Sequence, residues 1–255
     1  MNNWDPVRFE LDRWQASGRK VQLWLRDDDA VAVTPALERL LALSSRFHVP
    51  LTLAVIPKHA EPGLALRLHE ASLTIPVIHG WSHENHAGMG EKKQELGPHR
   101  PTEIVLAELS QALRRMTALF GGSLFPMLVP PWNRIDPALL PALAGVGFKA
   151  LSLIGPAAMT APIPIINTHV DLIDWRHTRR CRPVEDLVTS LARELIRAFV
   201  DDQPIGVLSH HLVHDEAAWE FLETLMQLTS RHVACGWVSP ATLANSVIVR
   251  GDDLI

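Results

Sequence analysis

Tyrosine is absent from this chain of 255 residues, and cysteine occurs only twice, as Cys181 and Cys235. Two cysteines allow one bridge at most. Their separation fits neither a Cys-x-x-Cys redox pair nor a thiolate zinc site. No run of about 18 consecutive apolar residues occurs, so no membrane-spanning helix is expected. Met1–Leu11 is largely polar and lacks the apolar stretch of a secretory signal, and the expected setting is therefore reduced and cytoplasmic. A basic excess is missing too. Against 28 Asp and Glu stand 24 Lys and Arg, a formal charge of −4, which argues against nucleic acid as a partner. Neither repeats nor low-complexity segments are found. Hydrophobic residues at 47% and charged residues at 20% are ordinary globular usage, which excludes disorder as the main state. What the chain has in excess is histidine, 13 residues. Histidine is the commonest metal ligand and the usual acid or base near neutral pH.

Short apolar runs bounded by Pro, Gly or polar residues read as strands buried on both faces. They are Val21–Leu25, Leu51–Ile56, Ile75–Ile78, Phe125–Val129, Phe148–Leu153, Pro164–Thr168, Ile205–Leu208 and His232–Val238. Helical patterns lie between them. Thr34 is a plausible N-cap before Pro35, with Leu37, Leu40, Leu41 and Phe47 on one face. The longest helix spans Thr102–Phe120, with Ile104, Leu106, Leu109, Leu113 and Met116 as its apolar stripe and Gly121-Gly122 as its stop. Asp136–Ala144, Val184–Val200, Asp215–Thr229 and Pro240–Val247 complete the set. Strand–helix alternation predicts an α/β fold with a mainly parallel sheet. With about eight strands and no linker, residues 1–255 read as a single domain built on a barrel or distorted barrel. The polar stretch His86–Pro101 reads as a long exposed loop.

Four polar clusters follow apolar strands, the ends where barrel active sites are built. Arg26-Asp27-Asp28-Asp29-Ala30 crowds three carboxylates, whose mutual repulsion a cation would relieve. His79-Gly80-Trp81-Ser82-His83 places two imidazoles at i and i+4, on one face if the segment is helical, with His86 as a further candidate ligand. One carboxylate with two histidines is a three-ligand set with an open position, the pattern of catalytic zinc. In Val129-Pro130-Pro131-Trp132-Asn133-Arg134 two prolines stiffen the backbone. That segment could aim the N–H of Trp132 or Asn133 at a ligand beside an aromatic wall. The fourth cluster is split between His169, Asp171, Asp174 and Trp175 on one side and Ser209, His210, His211, His214 and Asp215 on the other. A carboxylate beside a strand-end histidine holds the ring and raises its pKa, which suits a proton donor.

In this order the clusters resemble the polysaccharide deacetylase family, the NodB-homology group of carbohydrate esterase family 4. The resemblance runs from about Val21 to Val238. It implies a distorted (β/α) barrel of seven to eight mainly parallel strands, a divalent metal ion, most simply zinc, and removal of an N-acyl group, most simply acetyl, from a carbohydrate or related amide. By resemblance, Asp28 is the general base, and Asp29, His79 and His83 are the metal ligands. A register slide by one would give Asp27 and Asp28 instead as base and ligand. His210, oriented by Asp174 or Asp171, is the acid that protonates the leaving amine. Pro131, Trp132, Trp175 and Leu208 line the substrate, with Trp132, Trp175 and Leu208 as the wall for the acyl methyl. The partner implied is a small-molecule or oligosaccharide N-acyl substrate, with neither nucleic acid nor membrane, and the oligomeric state is open.

Two departures from the family pattern matter. The arginine of its third motif is Val129 here, with Arg26 and Arg134 as candidate replacements. The glycine after the Asp pair is Ala30. A catalytically weak or inactive binding protein on the same scaffold is therefore the alternative. Phosphoryl transfer on magnesium is disfavoured, because magnesium prefers all-oxygen ligands and no phosphate-cradling glycine loop is present.

Overall fold

The structure, a computed structural model, describes residues 4–156 and 159–252. Among the described residues are eight strands and eight α-helices, alternating except where β6 follows β5. The strands are β1 (Val21–Ala30), β2 (Leu51–Val55), β3 (Thr74–His79), β4 (Met127–Val129), β5 (Ala150–Leu151), β6 (Val170–Asp171), β7 (Ile205–Ser209) and β8 (Cys235–Trp237). The helices are α1 (Asp5–Ala16), α2 (Pro35–Phe47), α3 (Pro62–His69), α4 (Thr102–Phe120), α5 (Leu143–Val146), α6 (Val184–Asp201), α7 (Glu216–Thr229) and α8 (Pro240–Asp252). Hydrogen bonding orders the strands β5-β4-β3-β2-β1-β7-β6, with β8 on β1. The pairings β1–β7, β1–β8, β3–β4, β4–β5 and β6–β7 are all parallel. This is the expected α/β class.

The chain forms two compact units. The first comprises the chain up to Asp27, Thr34–Leu51 and Thr168–Ser239; the second comprises Asp28–Val33, Thr52–Asn167 and the chain from Pro240 on. In the first unit α1 packs on α6. Val7, Leu11 and Trp14 are buried, and the Trp14 indole donates to the Leu195 carbonyl at 3.2 Å. The spacing i, i+4, i+7 of these three is a helical stripe that the surrounding charged residues hide in the sequence, where this segment reads only as polar. Thr34 caps α2, its hydroxyl accepting from the Leu37 N–H at 3.0 Å.

In the second unit α4 has the expected bounds, but the buried stripe is Val105, Leu109, Ala112, Met116 and Phe120. Ile104 is 48% exposed. The buried face is turned by about one residue because small Ala112 and terminal Phe120 share it, a choice made by packing rather than by periodicity. Pro164–Thr168 does not form a strand. Leu151 and Ile165 make one isolated bridge, and Asn167 turns its side chain to accept from the Leu153 N–H. Pro164 has no N–H to extend a ladder.

His86–Pro101 is exposed only over part of its length. Glu95 and Leu96 are wholly buried, Leu96 bridges to Ile135, and its carbonyl accepts from the Asp136 N–H at 2.7 Å.

Candidate metal centre

In the second unit one oxygen of Asp29 and one ring nitrogen from each of His79 and His83 all lie within 4.8 Å of one another. Asp29 closes the acidic run of β1 with a positive φ of 76°, a left-handed conformation that Asp tolerates better than most residues. Its Oδ1 lies 3.1 Å from His79 Nε2 and 3.3 Å from His83 Nε2. Positive φ belongs to Asp29 and not to Ala30, so alanine at position 30 brings no backbone strain.

The two histidines do not share a helix. His79 ends β3, and a tight turn with Gly80 at φ 58° and His83 at φ 60° brings the rings to 5.1 Å. Gly80 has no substitute here. A Cβ would stand 2.0 Å from Glu95 Oε2 and 2.7 Å from the Pro131 ring. Glu95, from the stretch read as an exposed loop, clamps the turn. Its carboxylate accepts from the Ser82 N–H at 2.7 Å, the Ser82 hydroxyl at 3.1 Å and the Trp81 N–H at 3.2 Å. From the other side the Lys58 N–H donates to the Trp81 carbonyl. His83 packs its ring on Trp132, centroids 4.3 Å apart.

His79 Nδ1 donates to the Val129 carbonyl at 2.9 Å. A carbonyl only accepts, so Nδ1 carries a proton and Nε2 is left facing the Asp29 carboxylate. Two electron-rich atoms at that distance require a cation or a proton between them. Burial pushes the His79 pKa down, but the Asp28 and Asp29 charges outweigh it and the net shift is upward. His83 is pushed down to about 4, by burial first and then by His79. The donor set, one carboxylate oxygen and two imidazole nitrogens with one ring fixed by an outer hydrogen bond, fits a divalent transition metal.

Asp28 is buried in β1. Pro131 is buried against the Gly80 turn, and Trp132 and Asn133 both have left-handed φ values, 54° and 55°. The Asn133 N–H donates to the Pro130 carbonyl, which leaves Trp132 as the candidate amide for a ligand. Arg134 donates to the Lys93 carbonyl at 2.8 Å. Val129 is wholly buried, and its carbonyl, rather than its side chain, takes part in the site. His86 is not part of the three-ligand group.

The first unit holds the second half of the polar clusters. Asp171 Oδ2 accepts from the Trp175 indole at 2.9 Å, and that indole meets the His210 ring edge-on at 4.6 Å. Asp174 is engaged by its own turn, through His177 Nδ1 at 3.1 Å and the Thr178 N–H and hydroxyl. Trp175 is 39% exposed, whereas Leu208 is wholly buried in β7. Arg26, also wholly buried, stands opposite Leu208 in the β1–β7 register.

The sequence offers Asp27 only as the base of the slid register and does not show its pairing with His211. Its carboxylate takes His211 Nδ1 on one oxygen, and the Ser209 hydroxyl at 2.6 Å and the His211 N–H at 2.9 Å on the other. Burial raises the Asp27 pKa, but the His211 charge and these hydrogen bonds hold it below the usual range. A doublet His210-His211 straight after a strand was the only available signal.

The fold is an α/β sheet, and the site gathers one carboxylate and two imidazoles, a donor set that could hold a metal ion. No protein-family model matches the chain, and no curated protein does. Solved structures do match. A Mycobacterium smegmatis protein described as a polysaccharide deacetylase aligns with TM-score 0.66 and 16% identity, covering 92% of each chain. A family 4 acetyl xylan esterase from Clostridium thermocellum, solved with a cobalt ion, aligns with TM-score 0.55 and 15% identity over 90% of this chain and 92% of that one. A mutant of BA3943, a CE4 family pseudoenzyme with restored activity, aligns with TM-score 0.60 and 18% identity over 88% of this chain and 68% of that one. These likenesses show the fold, that of the polysaccharide deacetylases and family 4 esterases, a distorted (β/α) barrel. Among the described residues no helix is long and apolar enough to cross a membrane.

Proposed function

We propose that the chain is a metal-dependent deacetylase of the carbohydrate esterase family 4 type, removing an acetyl group from an N-acylated carbohydrate or a related amide. The observation that carries this reading is the facing of Asp29 Oδ1 by His79 Nε2 at 3.1 Å and His83 Nε2 at 3.3 Å, with His79 Nδ1 held by Val129. Asp29, His79 and His83 would hold the ion, zinc being the simplest match to two imidazoles and one carboxylate. A bound divalent ion would lower the pKa of water and polarise the acyl carbonyl.

The chain's own residues supply the rest. Asp28, next to the ligand Asp29 on β1, is the base that takes the proton from water. The Trp132 N–H donates to the oxygen that gains charge. His210 gives a proton to the amine nitrogen, a step an amide needs because amines leave poorly without one. Asp171 positions His210 through the Trp175 indole. By motif order, Trp132 and Trp175 are the aromatic residues assigned to the acyl methyl. The role of His210 is carried by motif order, Leu208-Ser209-His210.

A non-catalytic binding protein is the second reading. It is favoured by the burial of Val129 where the family has arginine and by the use of Arg134 on the Lys93 carbonyl. Acetate release from a panel of N-acetylated sugars and oligosaccharides, with zinc or cobalt supplied, decides between them. Release that disappears in His79→Ala supports the enzyme. Stoichiometric metal without release from any substrate supports the binding protein.

A further inference from the structure

One face of α4 in the second unit lines a groove of about 530 Å³ together with Lys58 and Trp81. That is within the ~300–1,000 Å³ range of small-ligand sites. Gln111, Arg114, Arg115 and Ala118 recur along α4 at i, i+3, i+4 and i+7, so one helix face supplies one wall. Arg115 is fixed across the groove, its Nε donating to the Pro57 carbonyl at 2.6 Å and its NH2 to the Ala60 carbonyl at 2.9 Å. Arg114 is exposed and donates to the Ser110 hydroxyl at 2.7 Å. Lys58 pairs with exposed Glu84 at 2.7 Å. Three cations thus meet one carboxylate, in a chain whose overall charge is −4.

Trp81 is half-buried, and its backbone is held on both sides, by Glu95 and by the Lys58 N–H. The backbone that carries the ring is therefore held in place. An aromatic face attracts the weakly positive C–H face of a sugar ring. A guanidinium with free donors and an ammonium recognise phosphate or carboxylate. No metal ligand lines the groove.

We propose that this groove binds an anionic sugar, with the ring against Trp81 and the phosphate or carboxylate on Arg114 and Lys58. The inference needs no metal and does not depend on the deacetylase reading. Calorimetric titration of the full chain with glucose 6-phosphate, glucuronate, glucose and inorganic phosphate tests it. Glucose 6-phosphate, glucuronate or both should bind at least tenfold more tightly than glucose and than inorganic phosphate; which of the two binds names the anionic group. The affinity should fall about tenfold in Arg114→Glu, an exposed change that leaves the fold intact, and in Trp81→Phe to a smaller extent. It should persist in His79→Ala. Equal binding of glucose, equal binding of phosphate alone, indifference to Arg114→Glu, loss in His79→Ala, or no binding of either charged sugar would each overturn the proposal.

Discussion

Asp27 and His211 form a fully buried carboxylate–imidazole pair, Oδ1 to Nδ1 at 2.5 Å, with both side chains closed to solvent. Ser209, which stands opposite Asp27 in the β1–β7 register, adds its hydroxyl to the same carboxylate. Asp27 is thus a structural acid in a run of three. In the proposed function the chemistry falls to its neighbours on the same strand, Asp28 and Asp29.

Removing that carboxylate leaves a buried imidazole, an amide and a hydroxyl without their acceptor. Breaking a buried pair from one side costs about 3–5 kcal/mol. Asp27→Ala should lose stability on that scale in urea unfolding. A loss below about 1 kcal/mol would show that the pair contributes little.

Glu95 clamps the turn that carries the proposed metal ligands His79 and His83. Outer partners of metal sites typically govern affinity by about 10–100-fold. Glu95→Ala should weaken zinc or cobalt binding on that scale in a chelator competition, and Glu95→Gln by less, since one oxygen acceptor survives. Unchanged affinity in a folded Glu95→Ala protein would reduce Glu95 to a packing role.

His169 and His214 are each pushed down to about 4, in both cases by burial first. The His169 ring is neutral by geometry as well, with Nδ1 accepting from the Gly206 N–H at 3.0 Å. In the unfolded chain these rings titrate near 6.5, so between about pH 6.5 and 4 the unfolded state binds protons that the folded state does not. Stability therefore falls as pH falls through that window, by about 1.4 kcal/mol per pH unit for each such histidine. Thermal melts from pH 7 to 4 should show the decline, and His214→Gln should make it shallower. A pH-independent melting temperature across the window would contradict both assignments.

Val129 cannot simply be replaced by arginine. It is wholly buried in β4, and a longer charged side chain there is both overpacked and desolvated. Val129→Arg should lower the melting temperature by several degrees and leave acetate release no higher. Higher turnover at unchanged stability would show that the site accepts the family residue and lacks only that.

The sequence was most legible where chemistry is written in contiguous residues. The acidic run that ends in Asp29 and the His79-x-x-x-His83 spacing, whose three side chains the structure gathers, stand out in the sequence, as does α4 from Thr102 to the Gly-Gly stop. What escaped depends on long-range packing. Glu95 lies in a polar stretch, and only burial against the Gly80 turn distinguishes it from its neighbours. Asp27 pairs with a residue 184 positions away. The helix α1 was concealed because its apolar stripe is three residues wide, and the helical reading of His79–His83 failed because Gly80 and His83 adopt left-handed φ values.

Metal content across the acidic run is the most direct test of the central claim. Metal analysis and calorimetry with zinc should give one ion per chain in the wild type and in Asp28→Asn, and none held tightly in Asp29→Asn or His79→Ala. Asp28→Asn should keep its ion and lose acetate release. Tight binding that survives Asp29→Asn but vanishes in Asp28→Asn would shift the ligand register by one residue. A wild-type chain that binds no divalent ion would contradict the metal centre altogether.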